Sequence, residues 1–425
     1  MRKTRARAAA FVAAVLGAGH PGAMASDDAA LSLVPQAADS SAGSGPRALR
    51  VFGELAVGRL GQRYGLPSED SRRASLDLTW DARFAPQWRA VLSNRLDDIH
   101  PTGPGGRSTL NSVREAFVGW QSGDARQGVD LGRVNVRFGP AYGFNPTDYF
   151  REGSSRAVTT ADPLALRENR LGTVMLRAQR LWDGGAVSVA VAPKLKDEPS
   201  RESFSLDLGA TNHADRALVS VSLQPGGTVS AQAFAYHDRG TGWQLGANGT
   251  ALWGDATVAF FEWSGGKDTE LFSATFDASP KVSTRHRAAA GLTYTTPSRL
   301  SITGELQYNG FALDRQQWRQ AVDQVGIEAM GAYLYEVQRR QDIASRKAVM
   351  VYASQKDAFV KNLDVTALVR YNTGDRSRFV WAEARYHFRK VDVALQWQAN
   401  QGRASSEYGG LVDRSLVQVL AAFYF

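Results

Sequence analysis

The sequence predicts an all-β fold: a closed antiparallel transmembrane β-barrel of 18–20 strands with a helical insertion in one extracellular loop. Three observations predict it. From Leu49 onward, segments of roughly ten residues alternate apolar and polar side chains, the two-residue period of strands. The connections fall into tight turns and long polar loops, the asymmetry between the two rims of an outer-membrane barrel. The closing segment LVQVLAAFYF puts Val417, Val419, Ala421, Phe423 and Phe425 on alternate positions, an apolar stripe that reaches the last residue. Termini of water-soluble domains usually fray. In hydrocarbon every backbone group needs a partner, so a last strand that pairs with the first can end in this way.

MRKTRAR is a basic stretch, Ala8–Gly19 is apolar, and Ala23-Met24-Ala25 is a small-x-small site, so residues 1–25 read as a secretory signal peptide cleaved after Ala25. Residues 26–48, rich in Ser, Ala and Gly, read as a flexible periplasmic leader, and 49–425 as the barrel. The chain has no cysteine, which excludes thiol catalysis and Cys-based metal sites. After residue 25 no apolar run approaches the ~20 residues of a membrane helix. About twenty strand segments can be marked, near 49–60, 72–84, 87–97, 112–121, 128–138, 171–182, 186–193, 203–211, 216–224, 228–238, 242–252, 254–264, 270–278, 286–296, 299–309, 347–355, 362–372, 377–388, 391–400 and 415–425. Tight turns at 85–87, 183–185, 296–299 and 388–391 come after even segments, and long loops at 98–111, 139–170, 310–346 and 401–413 come after odd ones. The joins at 224–227 and near Gly254 are short where a long loop is due, which leaves 18 strands open.

In RASLDLTWDARF, Ala74, Leu76, Leu78, Trp80, Ala82 and Phe84 share one face, assigned to lipid. The opposite faces are then lumenal and carry the functional readout. Val134, Val136 and Phe138 facing out would turn Arg133, Asn135 and Arg137 inward; the same alternation turns in Glu115, Arg370, Glu383 and Arg385. Only nine of the 50 basic residues are Lys, so arginine dominates the basic inventory. Rings of Arg select anions, although such arginines also pair with lumenal acids. The net charge of +8 loses four with Arg2, Lys3, Arg5 and Arg7 of the signal, leaving about +4 and a modest anion preference.

Two loops stand out. In 139–170, Gly143 allows a tight backbone, Asn145-Pro146 starts a turn and Asp148 can cap the next segment; the loop either orders an external turn or folds into the mouth and narrows it. In 310–346, Trp318, Val322, Val325, Ala329, Tyr333 and Val337 recur near helical spacing, so a helix with one apolar face caps the outside or plugs the lumen.

Gly132-Arg133, Gly139-Pro140, Gly143, Asn145-Pro146-Thr147-Asp148, the strand RENRLGTVML and the Tyr308–Phe311 ending resemble the alginate-export-type outer-membrane barrels and their porin relatives. That resemblance implies an 18-stranded barrel, a basic lumen and passage of a polyanionic or polar solute. Phe423 and Phe425 resemble the signal read by the bacterial barrel-assembly machinery, implying an outer-membrane location among lipid. The expected function is a channel for a polar, anionic solute or exopolysaccharide. The alternatives are a sealed adhesion barrel with binding loops and a barrel hydrolase. Five His lie beyond the signal peptide, none in a His-x-Ser pair, so an enzyme is not expected; Tyr236-His237-Asp238 is the best local acid–base cluster, and its neighbours point to opposite faces. No phosphate loop, dinucleotide or zinc spacing appears, so no cofactor or metal is expected, and scattered basic residues argue against nucleic acid.

Overall fold

Eighteen strands make one antiparallel sheet that closes on itself through the pairing of the first with the last. The computed structural model describes residues 48–102, 107–225 and 227–425, so the expected signal peptide and nearly all of the expected leader lie outside the described residues. The strands are β1 (Ala48–Gln62), β2 (Glu69–Ala85), β3 (Trp88–His100), β4 (Thr109–Gln121), β5 (Gln127–Val134) and β6 (Thr173–Trp182). Next come β7 (Gly185–Ala192), β8 (Arg216–Leu223), β9 (Val229–Asp238), β10 (Gly242–Trp253), β11 (Thr257–Thr269) and β12 (Val282–Thr295). The circuit ends with β13 (Leu300–Asn309), β14 (Lys347–Gln355), β15 (Leu363–Asn372), β16 (Arg378–His387), β17 (Val391–Gln401) and β18 (Asp413–Tyr424).

Two of the twenty expected segments are not strands. Residues 203–211 end in a short helix, α2 (Leu208–Thr211), and 270–278 form α3 (Leu271–Phe276), both within long loops; α1 (Pro163–Glu168) precedes them in the chain. Alternation over five or six residues is too short to separate a strand from one helical turn. In α3, Phe272 and Phe276 lie a turn apart with ring centroids at 4.8 Å, a contact that only the helix makes. Removing the two segments also restores the rim parity. The joins after β8 and β10 now come after even strands and lie on the short-turn rim, with the start of β1 and the end of β18.

The outer surface is what a bilayer requires. Leu55, Val57, Leu76, Leu131, Val189, Val219, Leu306, Leu395, Val417 and Val419 are exposed in a band around the wall. Phe84, Trp88, Trp182, Trp253, Tyr294, Phe388 and Phe425 ring the short-turn rim, and Trp243, Tyr308 and Tyr371 mark the long-loop rim. Aromatic residues prefer both interfaces of a membrane because their rings are apolar and their edges polar. At the seam Gly53 pairs with Phe423, and the Phe425 N–H donates to the Val51 carbonyl at 3.2 Å, so the last residue of the sequence is held by the first strand.

One stretch of wall departs from the expected alternation. β5 stops at Val134, and Val134, Val136 and Phe138 are buried inside with Phe117, Tyr149 and Phe234, not turned to lipid. The two-residue period from exposed Leu131 and buried Asp130 continues unbroken and turns Val134 inward; Gly132 lies on that inner face with a φ of +134°, where a Cβ would strike the Ala116 carbonyl. After Val134 the chain leaves the wall and enters the lumen.

Candidate functional site

The chain between β5 and β6, residues 135–172, crosses the interior and packs against strands far round the barrel. Two buried carboxylates on the opposite wall hold it. Glu305 of β13 accepts the backbone N–H groups of Tyr142 (2.7 Å), Gly143 (3.1 Å) and Phe144 (3.0 Å). Glu262 of β11 accepts from the N–H of Ala141 (2.8 Å) and Thr147 (3.2 Å), the Asn145 amide (3.0 Å) and the Thr147 hydroxyl (2.9 Å). A loop folded away from a sheet carries unpaired donors, and a carboxylate accepting several of them satisfies both sides at once. Gly139 is needed for close approach: its φ is +89°, and a Cβ would collide with the Glu262 carboxyl.

Aromatic rings fill the space between these anchors. Tyr149 stacks on Tyr236 at 4.6 Å, Phe138 meets Phe234 edge-on at 5.1 Å, and Tyr142 lies 5.5 Å from Tyr352. The loop is also braced internally. Arg170 is buried; it donates to Asp148 (3.0 Å), the Val136 carbonyl (2.7 Å) and the Asn135 side chain (2.9 Å). Arg167 donates to the carbonyl of Phe138 at 2.8 Å.

The long loop after β13 contains two helices, not one: α4 (Arg315–Val325) and α5 (Met330–Arg340), separated at Gly326. Asp314 and Gln317 form a capping box that starts α4 where the chain leaves the wall. Trp318, Tyr333 and Val337 are buried in a cluster with Leu271 and Phe311, Val322 packs against it, and Trp318 Nε1 donates to the Ser405 carbonyl at 2.8 Å. This places the pair over the long-loop rim, against α3 and the β17–β18 loop. The end of α5 clasps the crossing loop. Arg339 pairs with Glu152 (2.8 Å), Arg151 pairs with Asp342 (3.0 Å), and the Gly153 N–H donates to the Arg339 carbonyl (2.9 Å). Burial opposes ionisation of Glu152, but Arg340 and Arg339 overcome it and hold the carboxyl well below the usual carboxylate range. Between the clasp and the β7–β8 loop lies a vestibule of about 580 Å³ lined by Tyr149, Glu152, His213, Asp268, Arg287 and Arg340. Deleting residues 315–342 removes the clasp and is expected to raise single-channel conductance; an unchanged current would show that the helices do not restrain the crossing loop.

The expected lumenal residues divide into two groups. Glu383 and Arg385 form a bidentate pair on β16 (2.7 and 3.0 Å) facing the interior, and Arg370 of β15 donates to the Gly143 carbonyl at 2.7 Å. Arg133, Asn135, Arg137 and Glu115 do not form a wall ladder. Arg133 lies opposite Ala116, on the register face of Leu131, and donates to the Val113 carbonyl (2.9 Å). Asn135 and Arg137 belong to the crossing loop, where Arg137 lies 3.7 Å from Glu168 and the Asn135 N–H donates to Glu115 (3.3 Å). From β15 and β16 to β18 and β1 the wall keeps half-exposed polar side chains such as Thr366, Arg385, Gln418 and Glu54, whereas Asp77, Arg95 and Asp97 on β2 and β3 are buried. There Glu54 joins Arg73 (2.5 Å) and Arg95 (3.1 Å), and His387 lies between Asp364 (3.2 Å) and Asp392 (3.0 Å) near the short-turn rim. Asp162, the N-cap of α1, lies close to Glu383 and Arg385; burial first, then the nearby Glu383 and Glu168, push its carboxyl up to about 6.

Glu262 and Glu305 escaped the sequence reading, which tracked arginines. A signal was present: each is a carboxylate in the middle of a strand whose nearest inward neighbours are apolar or neutral, as in VAFFEWS and SITGELQ. Among the described residues no group of three or more His, Asp or Glu could hold a metal ion. His237 turns outward onto Trp243 (4.8 Å) while Asp238 turns inward, so the local acid–base cluster is split across the wall.

No protein-family model matches the sequence, and no curated protein matches it. Among solved structures the chain is similar to OccAB1 of Acinetobacter baumannii, with a TM-score of 0.57 and 10% identity over 92% of this chain and 99% of that one. It is similar to the same degree to a BenF-like porin from Pseudomonas fluorescens Pf-5, with a TM-score of 0.57 and 8% identity over 89% of this chain and 98% of that one. The fold is that of the outer-membrane porins. At such identities the likeness is one of architecture, and it does not single out alginate-export-type barrels. A closed barrel of that fold, with an apolar belt and two aromatic rims, contacts membrane lipid, and the fold supports an outer-membrane location.

Proposed function

We propose that this porin-fold protein is a constricted channel for small polar solutes, with anions favoured, and not a conduit for a polymer. The observation that carries this reading is the loop pinned across the lumen by Glu262 and Glu305. A polymer needs a continuous path wide enough for every residue of its chain, whereas a small solute can pass beside the loop along the half-exposed wall. Ion pairs such as Glu383–Arg385 line that wall, and they can exchange hydrogen bonds with a solute as it moves. The anion preference rests on the predominance of arginine and the positive charge of the chain beyond the signal peptide. Export of the barrel through a cleaved signal, and its insertion through an assembly signal at Phe423 and Phe425, belong to the same proposal.

The test is reconstitution in planar bilayers under a salt gradient. Small ohmic steps with a reversal potential on the anion side are expected; a cation-side potential would remove the anion preference. The clasp between α5 and the crossing loop favours a second reading, a sealed barrel that displays binding loops, and absence of steps at any voltage would select it.

The channel reading also predicts a pH dependence. Asp162 is neutral below about 6 and charged above it, so acidification removes a negative charge beside Glu383 and is expected to increase anion preference. Its folded pKa lies above the ordinary aspartate value, so its contribution to stability is present at acid pH and is lost as pH rises through about 6. Asp162→Asn should flatten the selectivity change between pH 5 and pH 7; an equally steep change in the variant would assign it to another group.

A further inference from the structure

On the outer face of β9–β14, near the long-loop rim, cationic and aromatic side chains alternate with no carboxylate among them. His237 pairs in register with Trp243, Gly265 with His286, Trp263 with Ala288, Ala288 with Tyr308, and Tyr308 with Lys347. Lys267 lies on β11 across from Thr284, so it is the diagonal neighbour of His286. Strand alternation puts Lys267 on the same face as Phe261 and Trp263, and Lys347 on that of Val351; both lysines are exposed. The acids nearby serve other groups: Asp268 turns inward to Arg287 (2.7 Å), and Glu270 is shared by Lys281 and Arg285 (3.4 and 3.3 Å). Neither Lys267 nor Lys347 forms an ion pair among the described residues. The other side of the same rim differs, because at β1–β2 Arg59 faces Asp70 at 3.6 Å, with Glu69 close by in sequence.

From this we infer a binding site for a phosphorylated lipid of the outer leaflet, with Lys267 and Lys347 taking phosphate oxygens and Trp243, Trp263 and Tyr308 lying against the sugar or glycerol moiety and the upper acyl chains. A lysine at the edge of an apolar belt extends its ammonium to the interface, and lipid phosphates are the anions present at that depth. Indole and phenol rings suit the same depth because they are apolar on their faces and donate at one edge. His237 and His286, packed on Trp243 (4.8 Å) and Trp263 (5.7 Å), offer further donors. The inference uses the outer-membrane location and is independent of what passes through the lumen.

The experiment is native mass spectrometry of the full barrel in a neutral detergent, titrated with bis-phosphorylated lipid A and, separately, with its dephosphorylated form. The wild type should retain the phosphorylated lipid and bind the dephosphorylated one at least ten-fold more weakly. Lys267→Gln with Lys347→Gln should weaken the phosphorylated lipid about 30-fold, from a contribution of roughly five-fold for each cation at an anionic surface. Arg59→Gln with Arg72→Gln, on the charge-balanced side, should leave binding unchanged, and inorganic phosphate in millimolar excess should not displace the lipid. Equal binding of both lipids, equal binding by the lysine variant, or an equal loss in the arginine variant would each overturn the assignment. Both variants replace exposed side chains, and heat-modifiable migration on a gel verifies that each is folded.

Discussion

Replacing Glu262 and Glu305 together by alanine is expected to raise single-channel conductance several-fold and to make the open current noisy, in a barrel that still assembles. The two carboxylates accept the N–H groups of Ala141, Tyr142, Gly143, Phe144 and Thr147. A buried donor left without an acceptor costs ~1–3 kcal/mol, so these groups together put ~5–15 kcal/mol against the crossing position. The rings of Tyr142, Phe144, Tyr149 and Phe150 oppose release, each contributing ~1.5–3 kcal/mol by burial. The two sums are comparable, so the loop should fluctuate between seated and released states and not be lost to solvent outright. The sheet ladder does not pass through either carboxyl group, and heat-modifiable migration on a gel should be retained. Glutamine at both positions keeps one acceptor oxygen but turns an amide toward N–H donors, and an intermediate conductance is expected. A folded double-alanine variant with wild-type conductance would mean that the loop is held by its apolar packing alone, and the proposed gate would fail with it.

Arg170→Ala should have the second large effect. Asp148 is fully buried, and its other cation, Arg167, is at 3.8 Å, against 2.8 Å for Arg170. Removing one partner of a buried pair costs ~3–5 kcal/mol, because the remaining charge has lost its water and its counter-charge. Arg170 also braces Val136 and Asn135, so the loss reaches the point where the chain enters the lumen. The expected results are cleavage of the 139–170 loop by a protease added to micelles and a lower temperature of gel-monitored unfolding. Lysine restores the charge without the planar fork and should recover only part of either. Arg170→Ala combined with Asp148→Ala should be milder than Arg170→Ala alone, since no orphan carboxylate remains. If Arg170→Ala resists the protease as the wild type does, the ion pair is not a brace.

Much of the barrel was legible because alternation is local. Leu76, Val417, Val419 and the inward Arg370, Glu383 and Arg385 lie where a two-residue period puts them. The reading failed where period and partner separate. At 203–211 and 270–278 a few alternating residues had no strand to pair with, and a helical turn satisfied their backbone groups instead. At Val134–Phe138 the alternation is real, but Val134 continues the inward face of Asp130 and the chain then leaves the wall, so an apolar stripe assigned to lipid packs on Phe234 inside. The loop after β13 showed helical spacing, yet Gly326 and the clasp at Arg339–Asp342 depend on what the helices touch.

By itself the sequence determined that this chain rolls its strands into a tube with an apolar exterior, since each residue's side of the sheet is set by its neighbours' backbone geometry. Which wall the crossing loop reaches was decided only in three dimensions. Glu262 and Glu305 are more than a hundred residues from the N–H groups they accept, and no local pattern records a hydrogen bond made across a lumen.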